Sequence, residues 1–129
     1  MKYAYPAVFT KEEKGYSVFF PDLESCYTCG DDLQDSIMMA EDVLALTLYH
    51  YEKENKEIPA PSASTDLEIQ ENEFVNYIAC DTIEYRKRNS NKAVKKTLSI
   101  PEWLDAEATS HGVNFSAILQ QALKEHLGL

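Results

Sequence analysis

Arg86, Lys87, Arg88, Lys92, Lys95 and Lys96 fall within eleven positions with no acid among them. Directly after them, the side chains of residues 94–100 alternate. Val94, Leu98 and Ile100 fall on one face of an extended segment, and Lys95, Thr97 and Ser99 on the other. A basic run alone is an ordinary solvated surface. Followed by this alternation, it fits nucleic-acid recognition: ammonium and guanidinium groups meet phosphates, while hydroxyls and a lysine carried on a β-ribbon reach base edges in a major groove. Asn114 and Ser116 stand at the start of a later helix, where free backbone N–H groups can meet a further phosphate. The resulting DNA-binding set is Lys95, Thr97, Ser99, Asn114, Ser116, Arg86, Arg88 and Lys92.

These side chains need elements to hold them. Pro101 stops the alternating segment and opens a short helix, in which Leu104 and Ala108 face inward and Gly112 is the expected C-cap. Asn114 caps a second helix with a broad apolar stripe of Phe115, Ile118, Leu119, Ala122, Leu123 and Leu127. One strand and two short helices are too few to bury those stripes within one chain. Two copies pairing their strands antiparallel across a twofold axis can bury them. The expected assembly is therefore a homodimer through the C-terminal module, with association of two such dimers into a tetramer as the further step.

The first part of the chain follows different rules. KYAYPAVFT, GYSVFFPD and SCYTCG read as three antiparallel strands, the last ended by Gly30. Asp31 or Asp32 then caps a helix running to about Asn55, with Gln34 or Asp35 at the third position of a capping box. Leu33, Ile37, Ala40, Leu44, Leu48 and Tyr51 recur at helical spacing and mark the face that lies on the sheet. A proline-bearing loop, IPAPSASTD, precedes a fourth strand at residues 73–81. The fold class is α+β, with a β-β-β-α-β N-terminal domain over 1–84, a basic linker over 85–92 and a C-terminal module over 93–129.

Charge is divided along the same line. Residues 1–84 hold 5 Lys and 18 Asp plus Glu, net −13, and residues 85–129 hold 7 Lys plus Arg and 4 acids, net +3; the sum is the chain's −10. Such an acidic lobe suits a basic partner. Acidic and aromatic residues around the second strand and its exit, namely Tyr16, Phe20, Asp22 and Glu24, are the candidates for that contact. Cys26, Cys29 and Cys80 are an odd set in a chain without a signal-peptide pattern, so packing is expected of them rather than disulfides or a metal. No cofactor is expected. With no apolar window of membrane-spanning length, no membrane partner is expected either, and the cytoplasm is the expected compartment.

Several blocks carry a resemblance, in the same order. KKTLSIPEWLDAEATSHGVNFSAILQQALKEHLGL resembles the ribbon-helix-helix module that ends many HicB-type antitoxins. GYSVFFPDLESCYTCGDDLQDSIMMAEDVL is similar to their N-terminal domain, and EFVNYIACDTIEYRKRNSNKAVKKTL resembles the join between the two. That resemblance implies a partial ribonuclease-H-like fold for the N-terminal domain and no catalytic residues. It also implies a partner toxin of HicA type, a small basic mRNA-cleaving ribonuclease, and repression of the operon at operator DNA by the C-terminal module. By position it assigns DNA readout to Lys95, Thr97 and Ser99. Two other readings stand beside it. One is a stand-alone ribbon-helix-helix regulator whose N-terminal domain senses a ligand. The other is a metal-dependent ribonuclease-H-like nuclease using Asp22, Glu24, Asp31, Asp81 and Glu84.

Overall fold

The computed structural model describes residues 1–129 and divides them into two units, Met1–Lys92 and Ala93–Leu129. In the first, ten alternating residues form β1 (Lys2–Lys11), which pairs antiparallel with β2 (Tyr16–Phe19) on one side and β4 (Glu73–Asp81) on the other. A shorter β3 (Tyr27–Gly30) adds to β2, so the order is β3-β2-β1-β4. The chain is of mixed α and β structure, with one four-stranded antiparallel sheet and four helices.

Helix α1 (Leu33–Lys53) begins where expected. The Asp32 carboxylate accepts from the Asp35 N–H at 2.8 Å, and the Asp35 carboxylate accepts from the Asp31 N–H at 2.9 Å. These bonds satisfy donors that the first turn would otherwise leave open. Tyr5, Ala7, Phe9, Val18 and Phe20 from the sheet meet Ala40, Leu44 and Leu48 from α1, none of them more than 2 % exposed. Leu33, expected on this face, lies at the helix mouth and is exposed, while Ser36 takes the buried place. Gly30 is the reason, because its bare Cα lets the first turn of α1 close onto the end of β3. A Cβ at Gly30 would stand 2.5 Å from Ser36 N and Oγ.

Residues 85–89, expected as the start of the basic linker, belong to a helix, α2 (Thr82–Asn89). The first unit accordingly runs to Lys92 rather than to residue 84. Several interactions account for this. Asp81 caps the helix by accepting from the Ile83 N–H at 2.9 Å, Glu84 and Lys87 pair at 3.0 Å, and Arg86 reaches Glu52 of α1 at 2.9 Å. Buried Thr82 anchors the first turn through a backbone bond to the Met1 carbonyl. Tyr85 packs against Tyr49 with ring centroids 5.5 Å apart.

The second unit holds α3 (Glu102–Ser110) and α4 (Phe115–Leu127). Pro101 opens α3, and Gly112, one residue beyond the His111 C-cap, closes it in the left-handed region at φ +64°. There the Val113 N–H returns to the Ala108 carbonyl and the Gly112 N–H to the Thr109 carbonyl, a Schellman closure. Asn114 caps α4 by accepting from the Ala117 N–H at 3.0 Å. The expected strand over 94–100 is not formed in the single chain, where these residues belong to no regular element. A strand is defined by its neighbour, and no segment of the chain pairs with this one.

Gly30→Ala is expected to lower the unfolding free energy by about 1–3 kcal/mol, because the added methyl forces α1 away from β3. Urea denaturation followed by circular dichroism measures this, and an unchanged midpoint would contradict the close approach.

Candidate functional site

Not one residue of Ala93–Leu129 is buried. Leu98, Ile100, Phe115, Ile118 and Leu123 are 45–58 % exposed. Together with Leu104, Val113 and Leu119, most of them line a groove of about 690 Å³ in this unit. Asn114 caps the start of α4 and Gly112 and Gly128 close the two helices, so what the unit lacks is tertiary packing. Exposed apolar surface gathered in one groove has the character of a contact surface. Lys95, Thr97 and Ser99 are all solvent-exposed, free to meet an external ligand.

The eight residues expected to contact DNA are divided between the units. Arg86, Arg88 and Lys92 belong to the first, and Lys95, Thr97, Ser99, Asn114 and Ser116 to the second. Arg86 is engaged at home, paired with the largely buried Glu52 carboxylate and lying 5.6 Å from the Tyr49 ring centroid. Glu52 also accepts from the Tyr3 hydroxyl at 2.8 Å and from the Thr82 hydroxyl at 3.2 Å. Burial, reinforced by that carboxylate, pushes the Tyr3 phenol up to about 12. Nothing in the local spacing announces a pair 34 residues apart. Arg88 lines a cleft that also holds the carboxylates of Asp35, Glu41, Asp42, Asp81 and Glu84, beside Met38, Met39, Ala79 and Cys80. The Asn114 side-chain oxygen is occupied by its cap, which leaves the backbone N–H groups of the first turn of α4 as donors.

At the exit of β2, the four residues expected to face a partner do not form one surface. Phe20 is a core residue, 1 % exposed, and its place in a contact surface is corrected accordingly. Tyr16 is half-buried, edge-on to Phe74 at 6.1 Å and under the Lys11 ammonium at 4.6 Å. Asp22 accepts from the Ser62 N–H at 2.9 Å and from its hydroxyl, tying the loop after α1 to the exit of β2. Glu24 alone is freely exposed. The outward aromatic residues are Phe19, Tyr27 and Tyr77. Strand parity is the signal that identifies Phe19: Val18 and Phe20 point to α1, so the residue between them points away.

Three of the five acids of the nuclease reading serve other ends. Asp22 holds Ser62, Asp81 caps α2 and is lowered chiefly by the Ile83 N–H, and Glu84 pairs with Lys87. No group of three His, Cys, Asp or Glu side chains is gathered at metal-binding spacing. No helix is long and apolar enough to cross a membrane.

Comparison with known proteins places this geometry. The family model described as the HicB_like antitoxin of bacterial toxin-antitoxin system matches residues 5–123. Antitoxin HicB 2 of Photorhabdus laumondii is 28 % identical over 131 residues, which cover 97 % of this chain and 94 % of that protein. Among solved structures, a toxin-antitoxin complex from Streptococcus pneumoniae contains a chain that is 28 % identical, with a TM-score of 0.65, covering 98 % of this chain and 99 % of that one. A chain of the HicA3 and HicB3 toxin-antitoxin complex shares the fold, with 22 % identity and a TM-score of 0.52 over 61 % of this chain and 99 % of that one.

The three thiols test the packing of the first unit. Cys26 is buried, and burial raises it; Cys80 is pushed up to about 11, by burial first and then by the Asp81 and Glu52 carboxylates; Cys29 is exposed. A raised thiol carries less thiolate at a given pH and reacts more slowly. At pH 8, Ellman's reagent should therefore modify Cys29 quickly, half-buried Cys80 more slowly, and buried Cys26 only in denaturant. Equal rates for all three in native buffer would contradict this core.

Proposed function

Because the chain belongs to the HicB-like antitoxins of bacterial toxin-antitoxin systems, we propose that its acidic first unit occludes a HicA-type toxin and that its C-terminal unit, as a ribbon-helix-helix dimer, represses its own operon. The observation that carries the second half is the absence of any buried residue in Ala93–Leu129, beside a groove lined by Leu98, Ile100, Phe115 and Leu119. Two copies of residues 94–100 paired antiparallel satisfy each other's backbone donors and acceptors and carry Val94, Leu98 and Ile100 onto four helices. Lys95, Thr97 and Ser99 of both copies then line one outward face, which fits the major groove. Lys92 and Lys96 beside the ribbon meet phosphates, as do the N–H groups of the first turn of α4. Arg86, held by Glu52, serves the first unit instead.

The toxin half rests on charge and on relatives. A ribonuclease must attract a polyanion, and a lobe with 18 acids against 5 lysines over residues 1–84 competes for the same surface without catalysis of its own. The Streptococcus pneumoniae relative was solved as a toxin-antitoxin complex, which supports the same pairing here. Glu24 belongs to the covering side and Asp22 shapes it through Ser62, while Tyr16, on the same side of β2 as Val18, packs against the core.

Co-purification with the product of the neighbouring reading frame, followed by an operator shift assay, tests both halves. Leu119→Glu should give a monomer in light scattering and abolish the operator shift while toxin capture persists. Thr97→Ala should narrow the preference for operator over unrelated DNA by about 1–3 kcal/mol, with operator affinity falling about 0.9 log unit per log unit of salt for each phosphate met. Loss of toxin binding with operator binding spared, in either variant, would reverse this division of labour.

A further inference from the structure

The sheet of the first unit has two faces, and only one is covered by α1. On the other, Tyr27, Phe19, Val8 and Val75 are successive register partners across β3, β2, β1 and β4, and so form one row spanning all four strands. Its middle is solid, with Val8 3 % exposed and neighbouring Pro6 fully buried. Its aromatic members are open, with Phe19 43 % and Tyr27 69 % exposed, and Tyr77, the partner of Pro6, 48 %. The next row is Cys29, Ser17, Thr10 and Glu73. There Glu73 accepts from the Thr10 hydroxyl at 3.0 Å and Glu12 from the Ser17 hydroxyl at 2.6 Å, so two carboxylates border the aromatic row.

Exposed aromatic residues on a rigid floor, rimmed by charge, have the composition of an interface centre. We infer that this open sheet face, centred on Phe19 and Tyr27, is the surface on which the first unit receives its toxin, and that the toxin presents an apolar patch edged by lysine or arginine. The inference rests on the toxin reading above and fixes the place of contact. Charge selects the occupant: the rim is acidic, and the unit around it carries 18 Asp and Glu against 9 Lys and Arg over residues 1–92, so a second copy of the same face would meet like charge. The outer side of α1 also exposes apolar side chains, Met38 at 61 % and Met39 at 42 %. Those flexible side chains lie on a single helix, whereas the aromatic row is fixed by the pairing of four strands.

The experiment compares full-length chains for binding to the purified toxin from the neighbouring reading frame by calorimetry. Phe19→Ser with Tyr27→Ser should weaken binding about 100-fold or more, with operator binding and the thermal midpoint unchanged. Met38→Ser with Met39→Ser should bind as the parent does. Tyr27→Ser alone, at the most open aromatic position, gives the same readout if the double variant folds poorly, with a loss of about 10-fold expected. Parent-like binding by the sheet-face variants, or a loss confined to the methionine variant, overturns the assignment. Failure of the parent chain itself to bind overturns the toxin reading and the assignment with it.

Discussion

The C-terminal unit cannot bury its own apolar side chains, and the proposed assembly depends on that shortfall. Its helices are well made locally: Asn114 caps one, left-handed glycines close both, and the Schellman bonds at Gly112 use the last carbonyls of α3. Local completeness does not hold a helix pair in water, because most helical stability in proteins comes from packing an apolar face. Here that face is open from Leu98 through Leu123. In the proposed dimer, a second copy supplies both what the groove lacks and what residues 94–100 lack, namely apolar surface and a neighbouring strand. Dimerisation, formation of the ribbon and presentation of Lys95, Thr97 and Ser99 are then one event.

Charge is distributed to match. The cations of residues 86–96 are divided between the units: in the first, Arg86 is bound to Glu52 and Arg88 lines a cleft that holds several carboxylates, and Lys95 and Lys96 belong to the second. Residues 93–129 carry Lys95, Lys96 and Lys124 against Glu102, Asp105, Glu107 and Glu125, so the proposed attraction to DNA comes from where lysines gather, beside the ribbon segment, and not from net charge. The first unit is acidic in balance, and several of its acids have specific neighbours. Glu52 ties together Tyr3, Thr82 and Arg86, and Asp22 holds the loop at Ser62.

Much of this was legible in the sequence because it depends on local pattern. Alternation located all four strands of the sheet, the Asp32 and Asn114 caps opened their helices where expected, and the six-residue stripe of α1 was right for Ile37, Ala40, Leu44, Leu48 and Tyr51 but not for Leu33. The failures have physical causes. YRKRN reads as a solvated run, yet Glu84, Arg86 and Lys87 are good helix formers, and once Asp81 caps them and Glu52 receives Arg86 they form α2. Choosing Phe20 over Phe19 ignored the period of two that places Phe20 beside Val18. Residues 94–100 alternate as a strand should, but pairing is a property of two segments and only one is present in a single chain.

Amide hydrogen exchange over residues 94–100 of the full-length protein, followed as its concentration is raised, tests this account most directly. An intermolecular ribbon predicts slow exchange at alternate amides, appearing together with the dimer and disappearing on dilution. Fast exchange at every concentration, or protection that does not depend on concentration, would contradict it.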